Sequence, residues 1–359
     1  MSGENRSAAA DAAADLHRFA FEIPKVELHV HLEGSMRPDV LLDLARRNRV
    51  ELPASDIAGL REWFRFRDFD HFVDIYLTCS RCLRAPEDFY ALTADVLAEQ
   101  ARQNVVYTEA HFTIQTHLGN GADGEAVRQA IAEAVAEAER KHGVTLRLIP
   151  DIVRNVPVAA ADRTIEWALA DRTGLVVAVG LAGIENGYPN EPFREHFDAA
   201  RKAGLKVVAH AGEHGGPESI RSALDVVGLD RLDHGVRAVE DPALVDELAA
   251  RGLPLDVCPS SNVCLGVFPD LRSHSFDRLR RAGVAVNVNT DDPPFFDTDL
   301  ATEYARLART FGYGAEDLTG FSLAALRASF LPEARKSEME GEFRRGFSEA
   351  AARLGAGGR

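Results

Sequence analysis

Polar and apolar positions alternate along residues 25–34. Val26, Leu28, Val30 and Leu32 are apolar, and Glu27, His29, His31 and Glu33 are polar. Successive side chains of a strand point to opposite faces. The spacing therefore predicts a strand with His29, His31 and Glu33 on one face and the apolar residues packed under helices on the other. Apolar runs of strand length recur at 104–112, 144–153, 175–182, 205–211, 231–234, 253–258 and 284–290. Helical periodicity fills the intervals, at 37–49, 70–78, 86–103, 124–142, 159–171, 192–203, 217–227, 242–251 and 275–282. Residues 51–69 read as irregular and carry Trp63, Phe64, Phe66 and Phe69. Such an aromatic insertion serves either as a lid or as a satellite core.

Eight strands alternating with helices need parallel crossovers, and helices supply them. The count favours one (β/α)8 TIM barrel, with additional helices after the first strand and at the C-terminus. A doubly wound open sheet is the competing architecture. No G-x-G-x-x-G follows the first strand, which removes the commonest ligand of that fold. The expected organisation is a single barrel domain over 21–350, with flexible tails at 1–20 and 351–359.

Composition narrows the partners. The formal net charge is −15, opposite in sign to the basic patch of a nucleic-acid binder. A hydrophobic content of 46% is ample for a core, yet no apolar run reaches membrane-span length. The first twenty residues lack the basic start and apolar centre of a secretion signal. Of four cysteines, Cys79 and Cys82 form a C-x-x-C inside a predicted helix rather than a knuckle, and Cys258 and Cys264 are loosely spaced, which argues against a thiolate zinc site. Reduced thiols in a cytoplasmic protein are the expectation.

Catalytic groups in such barrels stand at the C-terminal ends of strands. That rule selects His29, His31 and Glu33 after strand one, residues 181–183 after strand four, and 210–213 after strand five. It also selects 233–235 after strand six and 289–292 after strand eight. Alone, a His-x-His pair is more often chance than a metal site, and Asp291-Asp292 is more often a turn or cap. Together they supply complementary parts. His29, His31, His210 and Asp291 make a nitrogen and oxygen set suited to one Zn2+, leaving a position for water. Zinc lowers the pKa of such a water towards ~7. Glu213, three residues after His210, suits proton donation. His234 can accept the water's proton and stabilise developing charge, and Asp292 can bond the substrate. His111, His117 and His214 lie near the rim and are further candidates for substrate contact. His17, His71, His142, His196 and His274 fall in helix or tail contexts and receive no role.

The segments PKVELHVHLEG (24–34), LAG (181–183), HAGE (210–213), DHGVRA (233–238), CPSSN (258–262) and NTDDP (289–293) together resemble the adenosine deaminase family of amidohydrolase-like barrels. The resemblance implies zinc at His29, His31, His210 and Asp291. It implies Glu213 protonating purine N1, His234 orienting and deprotonating the water, Asp292 holding N7 and the backbone of Gly183 meeting N3. It implies one metal, because residues 181–183 offer no bridging lysine. Two positions depart from the family pattern. Ile184 replaces the usual acidic residue after LAG. Glu33 stands where the nucleoside enzymes look to have Asp, and enzymes similar to adenine deaminases tend to have Glu. The expected activity is hydrolytic deamination of adenosine or a related 6-aminopurine nucleoside. Free adenine, a modified adenosine or an amide on the same barrel are the alternatives.

Overall fold

The computed structural model describes residues 14–357. Eight parallel strands form one sheet in the order β1 to β8. They are β1 (Lys25–His31), β2 (Val105–Phe112), β3 (Thr145–Val153), β4 (Ala178–Ala182), β5 (Lys206–Ala211), β6 (Arg231–His234), β7 (Leu255–Val257) and β8 (Val286–Val288). The sheet closes on itself just past β8, where Asp291 bridges Val30 in parallel. Asn289 assists by accepting from the backbone N–H groups of Leu28 and His29 through Oδ1. The expected (β/α)8 TIM barrel is the fold.

Residues 14–22 form a helix, α1. The β1–β2 connection carries α2 (Pro38–Asn48), α3 (Ile57–Phe64), α4 (Phe69–Arg81) and α5 (Pro86–Arg102). Then follow α6 (Ile114–Gly119), α7 (Gly124–His142), α8 (Ala159–Leu169), α9 (Arg194–Lys202), α10 (Pro217–Ser222), α11 (Pro242–Arg251), α12 (Pro259–Cys264) and α13 (Phe276–Arg281). The chain ends with α14 (Leu300–Phe311), α15 (Ala315–Ala328) and α16 (Glu333–Gly357). Local chemistry starts many of these. Asp56, Asp68, Asp123, Asp241 and Asp299 cap helices through their carboxylates, and Pro38, Pro86, Pro217 and Pro242 occupy first turns.

Several boundaries differ from the sequence reading. Residues 51–69 are not irregular throughout, because Asp56 caps α3 within them. The short α6 and α12 were not expected, since six residues are too few for a visible apolar period. The expected N-terminal tail, 1–20, falls partly outside the described residues, at 1–13. Its last part is helical, with Phe19 and Ala20 buried. Lys25 Nζ holds the end of α1 by donating to the carbonyls of Ala20 and Ile23 at 2.6 and 2.7 Å. The expected tail at 351–359 is helical through Gly357, and residues 358–359 lie outside the described ones.

The register of β1 against β2 shifts at two places, the first between Lys25 and Val26. The second lies between Glu27 and Val30, as in a β-bulge. Glu27 consequently bonds Gln100 of α5 and Thr290, both at 2.5 Å, while His29 and His31 face the other imidazoles. At the base, Ile149, Ala178 and Val208 meet Phe330. Arg231 stands beside Phe330, paired with the buried carboxylates of Glu109 and Asp256.

Candidate active site

The strand ends bring the predicted residues together. His31 Nε2 lies 3.3 Å from His210 Nε2 and 3.2 Å from Asp291 Oδ1. His29 Nε2 lies 3.4 Å from the same oxygen. All four side chains are buried. His29 and His31 thus flank one Asp291 oxygen, with His210 against His31, and the four residues whose ligand atoms all lie within 4.8 Å of one another are His29, His210, His234 and Asp291. His29 Nε2 has no hydrogen-bond partner there, which is the deficit a divalent ion fills. The donor set fits such an ion.

Carboxylates stand behind the imidazoles. Asp233 lies 3.5 Å from His29 Nδ1 and 3.4 Å from His210 Nδ1. Asp151 lies 3.9 Å from His31 Nδ1 and 2.9 Å from His111 Nδ1. Such partners select which nitrogen faces a metal and keep it unprotonated. Gly180 leaves room for Asp151, since a Cβ there would meet its Oδ1 at 2.0 Å. Ser261 orients Asp291 by donating to Oδ2 at 2.7 Å. Burial raises the Asp291 pKa, but the adjacent His29 and His31 imidazoles override this and hold it well below the usual range.

The backbone is strained where the chemistry sits. His234 and Asp291 adopt φ of 63° and 66°, in the left-handed region that L-residues avoid. Such strain persists only where surrounding structure imposes it. At Asp291 that structure is a pair of backbone bonds, from Asp291 N to His29 O and from His31 N to Asp291 O.

Glu213 reaches towards the same space. Its Oε2 is 3.8 Å from His234 Nε2 and 3.3 Å from His214 Nδ1. Burial raises its pKa, yet the charges of His234 and His214 bring it below the usual value. The loop carrying Glu213 is gripped by Glu185. That buried carboxylate accepts the backbone N–H groups of Gly212, Glu213, His214 and Gly215 at 2.6, 3.2, 2.9 and 2.7 Å. Arg154 and Arg237 hold the carbonyls of His210 and His214.

Asp292 is buried over Gly34, where a Cβ would meet its Oδ1 at 1.5 Å, so only glycine fits. Burial first, then the Asp291 charge, push its pKa well up. Gly183 has φ 94° and lies on Asn155, which a Cβ would strike at 2.3 Å. Glu33 is fully buried. Its Oε1 accepts from Thr113 N at 2.8 Å and faces His117 Nε2 at 2.9 Å, while Oε2 has no partner. Beside these residues lies an aromatic cap. Phe64 packs on Phe295, Phe72 on Phe296, and Phe69 on His214.

Sequence reasoning missed the roles of Asp151, Glu185, Ser261, Asn262 and His274, and selected Asp233 at a strand end without giving it one. Asp233 carried a signal, being a polar residue inside a short strand. Glu185 carried none, because its partners are backbone amides nearly thirty residues away. His111, a rim candidate, sits among the imidazoles, paired with Asp151. Cys79, Cys82 and Cys258 are buried free thiols, whereas Cys264 is exposed. No helix among the described residues is long and apolar enough to cross a membrane.

A parallel barrel presenting three imidazoles and carboxylates at its C-terminal strand ends is the layout of a metal-dependent hydrolase. Residues 24–344 match the family model for adenosine deaminase, and the chain belongs to that family. It is 38% identical to an adenine deaminase of Vibrio parahaemolyticus over 323 residues, covering 90% of this chain and 96% of that one. It is 39% identical to an aminodeoxyfutalosine deaminase of Streptomyces avermitilis over 336 residues, covering 93% and 94%. A solved amidohydrolase from Burkholderia ambifaria with bound Zn superimposes with a TM-score of 0.88 at 27% identity, covering 97% and 95%. The chain is a hydrolase that removes ammonia from an adenine-type substrate.

Proposed function

We propose that the substrate is free adenine, converted to its 6-oxopurine and ammonia with one zinc ion at His29, His31, His210 and Asp291. A divalent ion held there lowers the pKa of a bound water towards ~7 and so supplies a nucleophile at neutral pH. The bound zinc of the Burkholderia protein supports the choice of metal.

Glu213 places its proton on N1 as oxygen adds to C6, so that negative charge never accumulates on the ring. A planar base closing over Glu213 removes water from its carboxyl and raises its pKa towards the proton-carrying form. His234 faces the attacking water and stabilises the charge that develops there. Asp292 bonds N7. Gly183 offers its backbone to N3 from a place no side chain can occupy. Loss of the 6-amino group, with the proton of the new hydroxyl, then yields ammonia and the 6-oxo product.

The free oxygen of Glu33 carries the choice of base over nucleoside. Free adenine has an N9–H donor, which a nucleoside replaces with a glycosidic bond. A buried, unpartnered carboxylate oxygen is costly until a donor meets it. Glu33 Oε2 is such an acceptor. On its Oε1 side Glu33 meets His117, itself stacked on Phe112 and edged by Phe89. A 6-aminopurine nucleoside is the second reading. It is favoured by GLAGIENGYP (180–189) and by the Streptomyces relative.

Ammonia release from adenine, adenosine and 2′-deoxyadenosine, measured side by side with metal content, tests the proposal. Adenine alone, with about one zinc per chain, is the expected result. Turnover confined to nucleosides would overturn it. Glu213→Gln is expected to cut kcat about 10³-fold at unchanged metal content, a loss of about 4 kcal/mol in transition-state stabilisation.

A further inference from the structure

His234 presents Nε2 to the site, and that atom has no hydrogen-bond partner in the protein. Its other nitrogen is held from behind. His234 Nδ1 lies 3.2 Å from Asn262 Nδ2, and Asn262 Oδ1 lies 3.2 Å from His274 Nε2. His274 Nδ1 in turn accepts from the backbone N–H of Phe276 at 3.0 Å. His234 and Asn262 are fully buried, and His274 is 2% exposed.

The last bond in this series has a single polarity, because a backbone amide only donates. His274 Nδ1 therefore carries no proton, and the neutral ring carries it on Nε2. That N–H must donate, so Asn262 turns its oxygen towards His274 and its amide NH2 towards His234. His234 Nδ1 is thereby an acceptor, and the neutral imidazole keeps its proton on Nε2. Reversing the Asn262 amide would set its NH2 against the His274 N–H. Burial foremost pushes the His274 pKa down to about 3, so the ring stays neutral.

We propose that this relay, anchored on the Phe276 amide, fixes His234 as an Nε2–H donor and makes Asn262 and His274 positioning residues for the hydrolytic step. The proposal rests on the reading of His234 and Glu213 given above. Two consequences follow for this chain. His234 stands close enough to His29, His210 and Asp291 to join a metal cluster. A nitrogen that carries a proton cannot ligate, so the relay keeps His234 out and leaves His31 as the third imidazole. The same proton prevents His234 from taking one from water, so that half of its expected role falls away. The proton goes instead to Glu213. As the water oxygen bonds C6, the C6–N1 π pair moves to N1 and takes the Glu213 proton. The emptied carboxylate then accepts the proton the water loses. His234 ends as it began, donating to the new oxygen.

Asn262→Asp inverts the relay without unpairing it. A carboxylate accepts from His274 Nε2–H and forces His234 to place its proton on Nδ1. Holding a catalytic imidazole in the wrong tautomer has cost about 10⁴ in kcat in a serine protease. The expected result here is a kcat loss of about 10²-fold or more, with KM within about threefold and metal content unchanged. ¹⁵N spectra of the zinc-loaded protein are expected to show His234 as Nε2–H in the native chain and Nδ1–H in the variant. The spectrum of the native chain reads the tautomer whatever the substrate proves to be, so it stands even if no purine is turned over or the variant fails to fold. A native His234 protonated on Nδ1 would overturn the proposal. So would an inverted tautomer with undiminished kcat.

Discussion

Glu185→Gln tests how the acid-bearing loop is held. One Glu185 oxygen takes three backbone N–H groups and the other takes Gly212 N. A glutamine keeps most bonds by placing its oxygen at the three-donor position. Its NH2 then faces the Gly212 N–H, so one charge-assisted bond is lost and three become neutral. A bond to a charged group contributes about 1.5–3 kcal/mol and a neutral one about 1 kcal/mol. The gross loss is about 3–9 kcal/mol by those figures, and relaxation of the loop brings it to the lower end, roughly 3 kcal/mol. The loss falls on residues 212–215, which carry Glu213. A displacement near 1 Å in a catalytic group costs about 10² in rate. The expected result is kcat reduced about 100-fold by that argument, KM little changed, and metal content intact. Hydrogen exchange, followed by mass spectrometry on a peptide spanning 210–218, is expected to rise at the Gly212, His214 and Gly215 amides. Native exchange in that peptide together with native kcat would refute the reasoning.

Three further outcomes are expected. Asp233→Asn removes the anion behind His29 and His210 and should weaken metal binding about 10- to 100-fold, read by competition with a chelator. Acid stability should depend on His274. Its folded-state pKa of about 3 lies below the unfolded value near 6.5. The unfolded chain therefore binds the proton first, and stability is lost as pH falls from about 6.5 towards 3. By pH 5 that loss is about 2 kcal/mol. Urea unfolding of His274→Gln should show a fall between pH 7.5 and 5 that is smaller by this amount, and an equal fall would exclude the linkage. Glu33→Asp draws the carboxylate away from the base, so the ratio of adenosine to adenine turnover should rise at least several-fold. An unchanged ratio would place the discrimination elsewhere, in the aromatic cap over residues 57–72.

Much of this protein was determined by sequence alone. Alternating runs separated by capped helices specify βα units, because strand and helix periods are local properties of the chain. The rule that barrel chemistry gathers at strand ends then selected His29, His31, His210, Glu213, His234, Asp291 and Asp292, and the structure brings all seven together. Their motifs were legible because each follows an apolar run directly. Only tertiary structure decided the rest. The bulge that turns Glu27 away from His29 depends on pairing with β2. Asp233 and Asp151 gain meaning only when closure of the barrel sets them behind the imidazoles. Glu185 grips amides from another strand's loop, and Asn262 and His274 reach His234 from beyond β7. Hydrogen bonds between residues distant in sequence leave no periodic trace, since any polar side chain in the right place can make them. The groups proposed to perform the chemistry were therefore readable from the chain, while those that orient them became visible only in the folded molecule.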